Sequence, residues 1–495
     1  MSVNGATAPQ AGARNLLASY DAGIFYDELF GNADKPAGHT RLIRERLNQL
    51  DFEDLRRRAT DAEKELYNLG ITFLIYAAQG AEDRILPFDV IPRVISAREW
   101  AHLEAGIKQR VATLNLFLHD IYHDQKILKD GIIPAELVLG NANFRPQMAG
   151  LDVPFDTYIH IMGVDLVRDR EGTFRVLEDN GRVPSGVSYV VENRHMMQRV
   201  FPDLMRDIGI RPVDNYGHKL LEAMSEIAPV AEGDPEVALL SPGSYNSAYF
   251  EHIFLAREMG VPLVEGRDLV VENHRVYMKT TDGLAPVHSI YRRIGDDFLD
   301  PTAFNPDSLL GVPGILEAYR RGNVALANAI GTGVADDKAV YAYVPRMIKY
   351  YLDQDALIPN VDTRICREHD ALTYTLDNLD KLVVKPVGEA GGYGITIGPR
   401  ASKAELDDCR AKLIADPANY ISQPVVDLSV CPTVTPDGIE PRHVDLRPFA
   451  VTGSKTWVLP GGLSRVALQK GTLIVNSSQG GGSKDTWVLE NGGAA

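Results

Sequence analysis

Between Trp100 and Ile121 the apolar residues Trp100, Leu103, Ile107, Val111, Leu114, Leu118 and Ile121 recur at intervals of three and four. That spacing predicts one long helix with a single core-facing stripe. Before it, "LPFDVIPRVIS" is punctuated by proline and reads as a connector. Arg93 in the connector, and Gln109 and Arg110 on the helix, could reach a site, but a surface role is the expectation. From His160 the period shortens to two. "HIMGVDLVRDREGTFRVLEDN" places apolar residues on both sides of a turn at Asp169–Gly172, the pattern of a hairpin. "NRHMMQRVFPDLM" then reads as helix. "EVALLSPGSYNSAYFEHIFLAREMGVPLVEGRDLVV", from Glu236, reads strand, Gly/Ser loop, helix, strand, a βαβ unit of a parallel sheet. Its "SPGSYNS" loop lies where a strand hands over to a helix, and it is not a GxGxxG loop.

The last third is strand-rich. "KLVVKPVGEAGGYGITIG" is a short apolar run ending in Lys385, a glycine loop, and a second β-branched run. "YISQPVVDL" reads as a strand interrupted by Gln423. "RHVDLRPFAVTG" alternates, with Arg442, Val444, Leu446 and Pro448 on one face and His443, Asp445, Arg447 and Phe449 on the other. "GGLSRVALQKGTLIVNSSQGGGSKD" adds Arg465 and Asn476 on a further hairpin. Low complexity is confined to "SSQGGGSKD" and the Gly/Ala tail, and no internal repeat is present.

Composition narrows the class. The chain has 495 residues, 45% of them hydrophobic and 24% charged, which suits a globular protein of several domains. The net charge of −16 argues against a general nucleic-acid binder, which needs a basic excess. Cys366, Cys409 and Cys431 are scattered without metal-ligand spacing. The first ~20 residues lack a signal-peptide core and read as a flexible tail. No apolar run approaches the roughly 20 residues of a membrane span. A soluble, cytoplasmic protein is expected.

Candidate chemistry begins in the hairpin. With Glu171-Gly172 as a two-residue loop, Arg170 pairs with Thr173 and Asp165 faces Glu178. Directly opposed Cβ atoms lie roughly 4.5–5.5 Å apart, and like charges there are destabilising. Asn180 shares the face of Glu178. A solvated polar face is one reading. The other is a Mg²⁺ site, because Mg²⁺ takes one or two carboxylates and completes its shell with phosphate oxygens. Lys385 and the Gly391, Gly392, Tyr393 and Gly394 loop form a candidate phosphate cradle, with a tight hairpin as its alternative. It is not a Walker loop. Arg447 and Arg465 add local positive charge to an acidic protein, which anions would meet.

Taken together, Lys385 with its glycine loop, the Gln423 strand, the Arg-bearing strands and the Asp165…Glu178-x-Asn180 hairpin resemble an ATP-grasp enzyme. In ordinary members the metal hairpin comes last, whereas here it precedes everything else. The chain therefore resembles the circularly permuted ATP-grasp type 2 family, with glutathionylspermidine-synthase-like relatives. That resemblance implies an α/β (α+β) architecture: a mainly helical region 1–150, a metal-binding portion 151–232, a Rossmann-like pre-ATP-grasp βαβ domain 233–330, and a nucleotide-binding portion 331–495. It implies ATP and Mg²⁺, two ions, with Asp165, Glu178 and Asn180 as metal ligands. It implies Lys338 and Lys385 on the α/β-phosphates and the Gly391–Gly394 loop over the β/γ-phosphates. Gln423 and Asn476 complete the nucleotide site, and Arg447 and Arg465 face the γ-phosphate or the tetrahedral intermediate.

Arg182 and Ser185 are candidates for substrate. Arg292 and Arg293 could bind a substrate carboxylate or pair with Asp296 or Asp297. The implied activity is carboxylate–amine ligation through an acyl phosphate, on small-molecule or peptide substrates, with a small helical protein as a candidate partner. A phosphotransferase without an amine acceptor, or a nucleotide-binding scaffold without turnover, are the alternatives. "GEAGGYG" and "SSQGGGSKD" are the expected lids.

Overall fold

The computed structural model describes residues 16–32, 34, 36–77, 80–230, 233–388, 394–472, 475 and 481–491. Residues 1–15 of the expected tail, the loop residues Gly391, Gly392 and Tyr393, and Asn476 lie outside these described residues; the rest of the expected tail is not loose, since Leu17 is buried in a core cluster and its N–H donates to Asn48 Oδ1 at 3.0 Å.

The predicted helix is the longest in the molecule, Ala97–Tyr122. Ser96 caps it in a reciprocal capping box with Glu99, which satisfies two otherwise unpaired backbone donors. All seven stripe residues are buried. The segment before it departs from expectation. Phe88–Ile95 is a fully buried strand, not a connector, and it pairs in parallel with Gly482–Val488 at the far end of the chain. Alternating charge and proline hide its pattern, because both faces are covered and no polar face remains to mark the period.

Arg93 is accordingly buried. It donates to Glu28 Oε1 at 2.6 Å and to the Asp445 carbonyl at 2.8 Å. Glu28 also receives Arg168 and the Ser429 hydroxyl, so the 16–40 segment is fastened to the sheet by a buried charge cluster. Gln109 and Arg110 are buried as well, again against expectation.

The main sheet has nine strands. Its centre explains the chain order. Strand Ile161–Arg168 pairs antiparallel, along one edge, with the end of Gly438–Arg447 and then with Phe449–Thr452, which follow each other in the chain. Phe174–Asn180 extends the sheet from Ile161–Arg168. Leu463–Val466 and Gly482–Val488 continue it on the other side. A hairpin from the first 180 residues thus sits among strands from the last 60 or so.

Of the expected lid "SSQGGGSKD", residues 477–480 lie outside the described residues, and the rest is not a lid. Ser483, Lys484 and Asp485 belong to the buried strand Gly482–Val488, where the Lys484 ammonium meets Asp89 and the carbonyls of Ile91 and Pro432.

Of the four other sheets among the described residues, two bear on the site. Val237–Leu240, Leu263–Val264, Ser289–Arg292 and Ala325–Ala327 form a parallel four-stranded sheet, with helix Tyr249–Met259 in the crossover expected from the sequence. Leu382–Pro386 pairs antiparallel with Thr396–Ile397 and with Tyr420–Pro424, which also pairs with Arg364–Ile365. No helix among the described residues is long and apolar enough to cross a membrane.

Candidate functional site

The hairpin places Asp165 opposite Glu178, and Gly163 opposite Asn180. The turn is one residue longer than predicted: Asp169 N–H donates to the Thr173 carbonyl, so Arg170, Glu171 and Gly172 form the loop. Nearer the turn Leu166 faces Val176, and Leu177 is the extra residue of a bulge. The bulge shifts the register back by one residue. Carboxylate therefore faces carboxylate, as the shorter loop with unbroken pairing predicts.

The charge that lets them coexist comes first from arginine. Leu446 pairs with Leu166, which puts Asp445, Arg447 and Asp165 on the same side of the sheet. Arg465 is the cross-strand partner of Asp445. Arg447 donates through Nη2 to Asp165 Oδ2 at 2.8 Å and through Nε to Oδ1. Arg465 Nη2 reaches Asp165 Oδ2 at 2.6 Å, and its Nε donates to Asp445 at 2.9 Å. Gly163 makes room for this: a Cβ there would lie 3.3 Å from Arg447 Cδ and 3.4 Å from Pro184 Cβ. Burial works to raise the Asp165 carboxyl, but the two guanidiniums outweigh it and hold it well below the usual carboxylate range.

Glu178 is met less well. Its nearest guanidinium nitrogen, Arg447 Nη2, is 3.7 Å away, and its side chain is 29% exposed. Burial and the adjacent Asp165 raise its carboxyl above the ordinary value, against the pull of Lys338, Arg447 and Lys385.

Lys385 comes from a separate sheet and Lys338 from a helix. Lys385 is the fourth residue of strand Leu382–Pro386 and is buried. Burial lowers its ammonium to about 8, with Lys338 adding to the fall and Glu178 opposing it. Lys338 opens helix Lys338–Ala342, capped by Asp337 through the N–H groups of Ala339 and Val340. Its own N–H donates to the Val387 carbonyl at 3.3 Å, which ties the helix start to the end of the Lys385 strand. Gly394 holds φ +71°. Gln423, paired across the strands with Val383, is buried and donates to Thr363 Oγ1 at 2.9 Å.

The substrate candidates divide. Arg182 is half-buried in the loop after Asn180, and Nη1 lies 3.4 Å from Asn143 Oδ1. No carboxylate among the described residues comes within ion-pair distance of its guanidinium. Ser185 offers its backbone carbonyl to Arg447 at 3.2 Å. Arg292 pairs with Asp296 at 2.7 Å and donates to the carbonyls of Asn328, Ile294 and Ala329. Arg293 is held by Glu251, the Pro184 carbonyl and Tyr291. Both are buried and committed to the fold, so the ion-pair alternative describes Arg292 and neither is free for a substrate carboxylate.

Three groups escaped the sequence reading. Arg110 grips Asp179 through two bonds of 2.6 Å each. Its signal was present, since position 110 lies between Ile107 and Leu114 on the apolar stripe. Asp336 accepts the N–H groups of Gly181 and Arg182, and burial raises its carboxyl to about 7. Asn328 bonds the backbone of His160, Ile161 and Gly181. Neither of the latter has a local signal.

Among the described residues no three His, Cys, Asp or Glu side chains are arranged to hold a metal. The donor set still fits Mg²⁺. Glu178 is short of positive charge, Asn180 adds an amide oxygen, and phosphate and water usually complete a Mg²⁺ shell. Asp165 is shared with arginines.

Comparisons with known proteins place the chain in a family. A protein of Synechocystis sp. is 53% identical over 475 residues, covering 96% of this chain and 99% of that one. A Frankia casuarinae protein named "Putative glutamate--cysteine ligase 2-2" is 42% identical over 478 residues, 96% of this chain but 55% of that protein. The apo structure of a glutathione synthetase-like effector from Globodera pallida superposes with a TM-score of 0.55 at 12% identity, over 89% of this chain and 98% of that one, a likeness of fold. Residues 92–467 match the family described as circularly permuted ATP-grasp type 2, and the chain, with its Asp165–Glu178 hairpin paired to its last strands, belongs to that family.

Proposed function

We propose that this protein is an ATP-dependent carboxylate–amine ligase that works through an acyl phosphate and releases ADP and phosphate. The observation that carries the reading is Lys385. It is a buried ammonium with no carboxylate in ion-pair distance among the described residues, lying in the electrostatic reach of Lys338 and Glu178. An unpaired buried charge is costly unless a partner of opposite sign arrives. Two lysines beside a proton-hungry carboxylate suit a polyphosphate with its divalent ion. The Frankia relative's name is consistent with amide-bond formation, although the matched region is about half of that protein.

Mg²⁺–ATP, when bound, supplies the phosphoryl group that activates a carboxylate for attack by an amine. Glu178 and Asn180 would hold Mg²⁺, with Asp165 beside them. Lys338 and Lys385 would neutralise phosphate charge, and Gly391 to Gly394 are the residues assigned to cover it. Gln423 and Asn476 are assigned to the nucleotide. Arg447 and Arg465 present guanidiniums where negative charge develops, which acts through electrostatics, not covalent chemistry. Arg182, with no carboxylate partner, is the candidate for the substrate carboxylate, and Ser185 adjoins it.

The test is product analysis. Purified protein is given Mg²⁺–ATP with amino acids, short peptides and polyamines. Release of ADP that depends on a carboxylate substrate, and a hydroxamate when hydroxylamine is added, support the reading. Lys385→Ala should suppress both. AMP and pyrophosphate would sink the acyl-phosphate mechanism. ADP with a stable phosphorylated product and no hydroxamate would make the protein a phosphotransferase.

A further inference from the structure

The segment Asn180-Gly181-Arg182 leaves the hairpin carrying a candidate metal ligand at one end and a candidate substrate ligand at the other. Two side chains from a distant stretch of sequence hold it from opposite sides. Asp336 Oδ1 accepts Gly181 N–H at 2.6 Å and Arg182 N–H at 3.1 Å. Asn328 Nδ2 donates to the Gly181 carbonyl at 2.7 Å, with the Arg182 carbonyl at 3.4 Å. The same amide is anchored to the start of the hairpin. Its Oδ1 accepts the N–H groups of His160 at 2.8 Å and Ile161 at 2.7 Å, and its Nδ2 donates to the Ile161 carbonyl.

Asn328 follows strand Ala325–Ala327 of the parallel sheet. Asp336 stands two residues before Lys338, on the short helix Thr332–Asp336. Through Asp337, the cap of the Lys338 helix, this stretch also meets Asn141, which donates to Asp337 Oδ2 at 2.9 Å. Gly181 is closely packed: a Cβ there would lie 2.7 Å from the buried Ile159 Cδ1, while Asp336 Oδ1 would be in ordinary contact at 3.5 Å.

We propose that Asp336, with Asn328 opposite, is a positioning residue that sets the Asn180–Arg182 segment against the Lys338 turn, so that metal ligand and phosphate-binding lysine are held at a fixed spacing. A carboxylate that accepts two successive N–H groups orients both peptide planes at once, and such charge-assisted bonds are the stronger kind. Loss of the clip leaves the ligands in place but loosens their relative position. A small misplacement of this kind is expensive for a multi-point ligand. The proposal rests on the ATP and Mg²⁺ reading given above.

The experiment uses the full chain with Mn²⁺ and the non-hydrolysable analogue AMP-PNP, following bound Mn²⁺ by electron paramagnetic resonance. Wild type should bind Mn²⁺ in the presence of the nucleotide. Asp336→Ala should weaken that binding about tenfold while circular dichroism and the apo melting temperature stay close to wild type. Asp336→Asn keeps one acceptor oxygen and should fall between the two. Folded Asp336→Ala that binds within twofold of wild type overturns the proposal. Should the alanine variant not fold, Asp336→Asn decides: wild-type binding overturns the clip, and intermediate binding supports it. Wild-type protein that binds no Mn²⁺ with AMP-PNP fails at a different point, removing the ATP and Mg²⁺ reading and the clip's role with it.

Discussion

Asp165 commits both carboxylate oxygens to guanidiniums, while among the described residues the guanidinium nearest the neighbouring Glu178 is Arg447 at 3.7 Å, with Lys338 and Lys385 adding electrostatic pull. Glu178→Gln should therefore leave the apo melting temperature near wild type, or raise it by relieving the like-charge contact. It should cost ~10²–10³ in turnover, the scale of one lost electrostatic contact in a transition state. A strongly destabilised apo protein would make Glu178 a structural residue instead. Lys385 gives a pH prediction. Its folded-state value of about 8 is below the ordinary lysine value, so between them the unfolded chain binds the extra proton. Apo stability should rise with pH across that window, and the penalty should be fully present below it. Nucleotide binding should go the other way. It needs the charged ammonium, so affinity should fall above pH about 8, and binding there should take up a proton, measurable by calorimetry in buffers of different ionisation enthalpy. Lys385→Arg should remove that proton uptake.

At the scale of elements, helix Ala97–Tyr122 and strand Phe174–Asn180 are joined by the Arg110–Asp179 pair, which is buried on both sides. Asp179 lies between Glu178 and Asn180, so the pair also fixes the strand that carries the candidate metal ligands. Arg110→Ala should lower unfolding stability by ~3–5 kcal/mol, because it leaves a buried carboxylate without its counter-charge. Asp179→Asn on top of Arg110→Ala should recover part of that loss in urea unfolding. A double variant no more stable than the single one would show that the damage is a packing void, not an orphaned charge. The helix was legible because its stripe has period 3.6. Strand Phe88–Ile95 was not, because every residue is buried and no alternation survives.

The whole molecule brings residues 161–180 and 382–424 to one locus although some 200 residues separate them. The Coulombic reach of Glu178 to Lys338 and Lys385 is the link. Adding Mg²⁺ and AMP-PNP should slow amide hydrogen exchange in Ile161–Arg168, Phe174–Asn180, Leu382–Pro386 and Tyr420–Pro424 together. Protection confined to one sheet would mean that the two halves do not form a single site. The long-range order also explains why Arg292 and Arg293 were ambiguous in sequence: their partners Asp296 and Glu251 were among several acids in reach, and only burial decided between them.

Local pattern was enough for the long helix and the βαβ unit, because backbone geometry converts spacing along one stretch of chain directly into a shared face. It also set Asp165 opposite Glu178, but through a two-residue turn that the structure does not have. The order of motifs that marks the permutation was carried by resemblance to a family, not by local geometry. The three-residue turn and its compensating bulge, the burial of Arg93, Arg110 and Lys484, and the hold of Asp336 and Asn328 on Gly181 were decided only by the tertiary structure. A buried charge is stable only beside a partner, and here the partners come from elements far away in sequence, so no window of the chain contains both halves of the interaction.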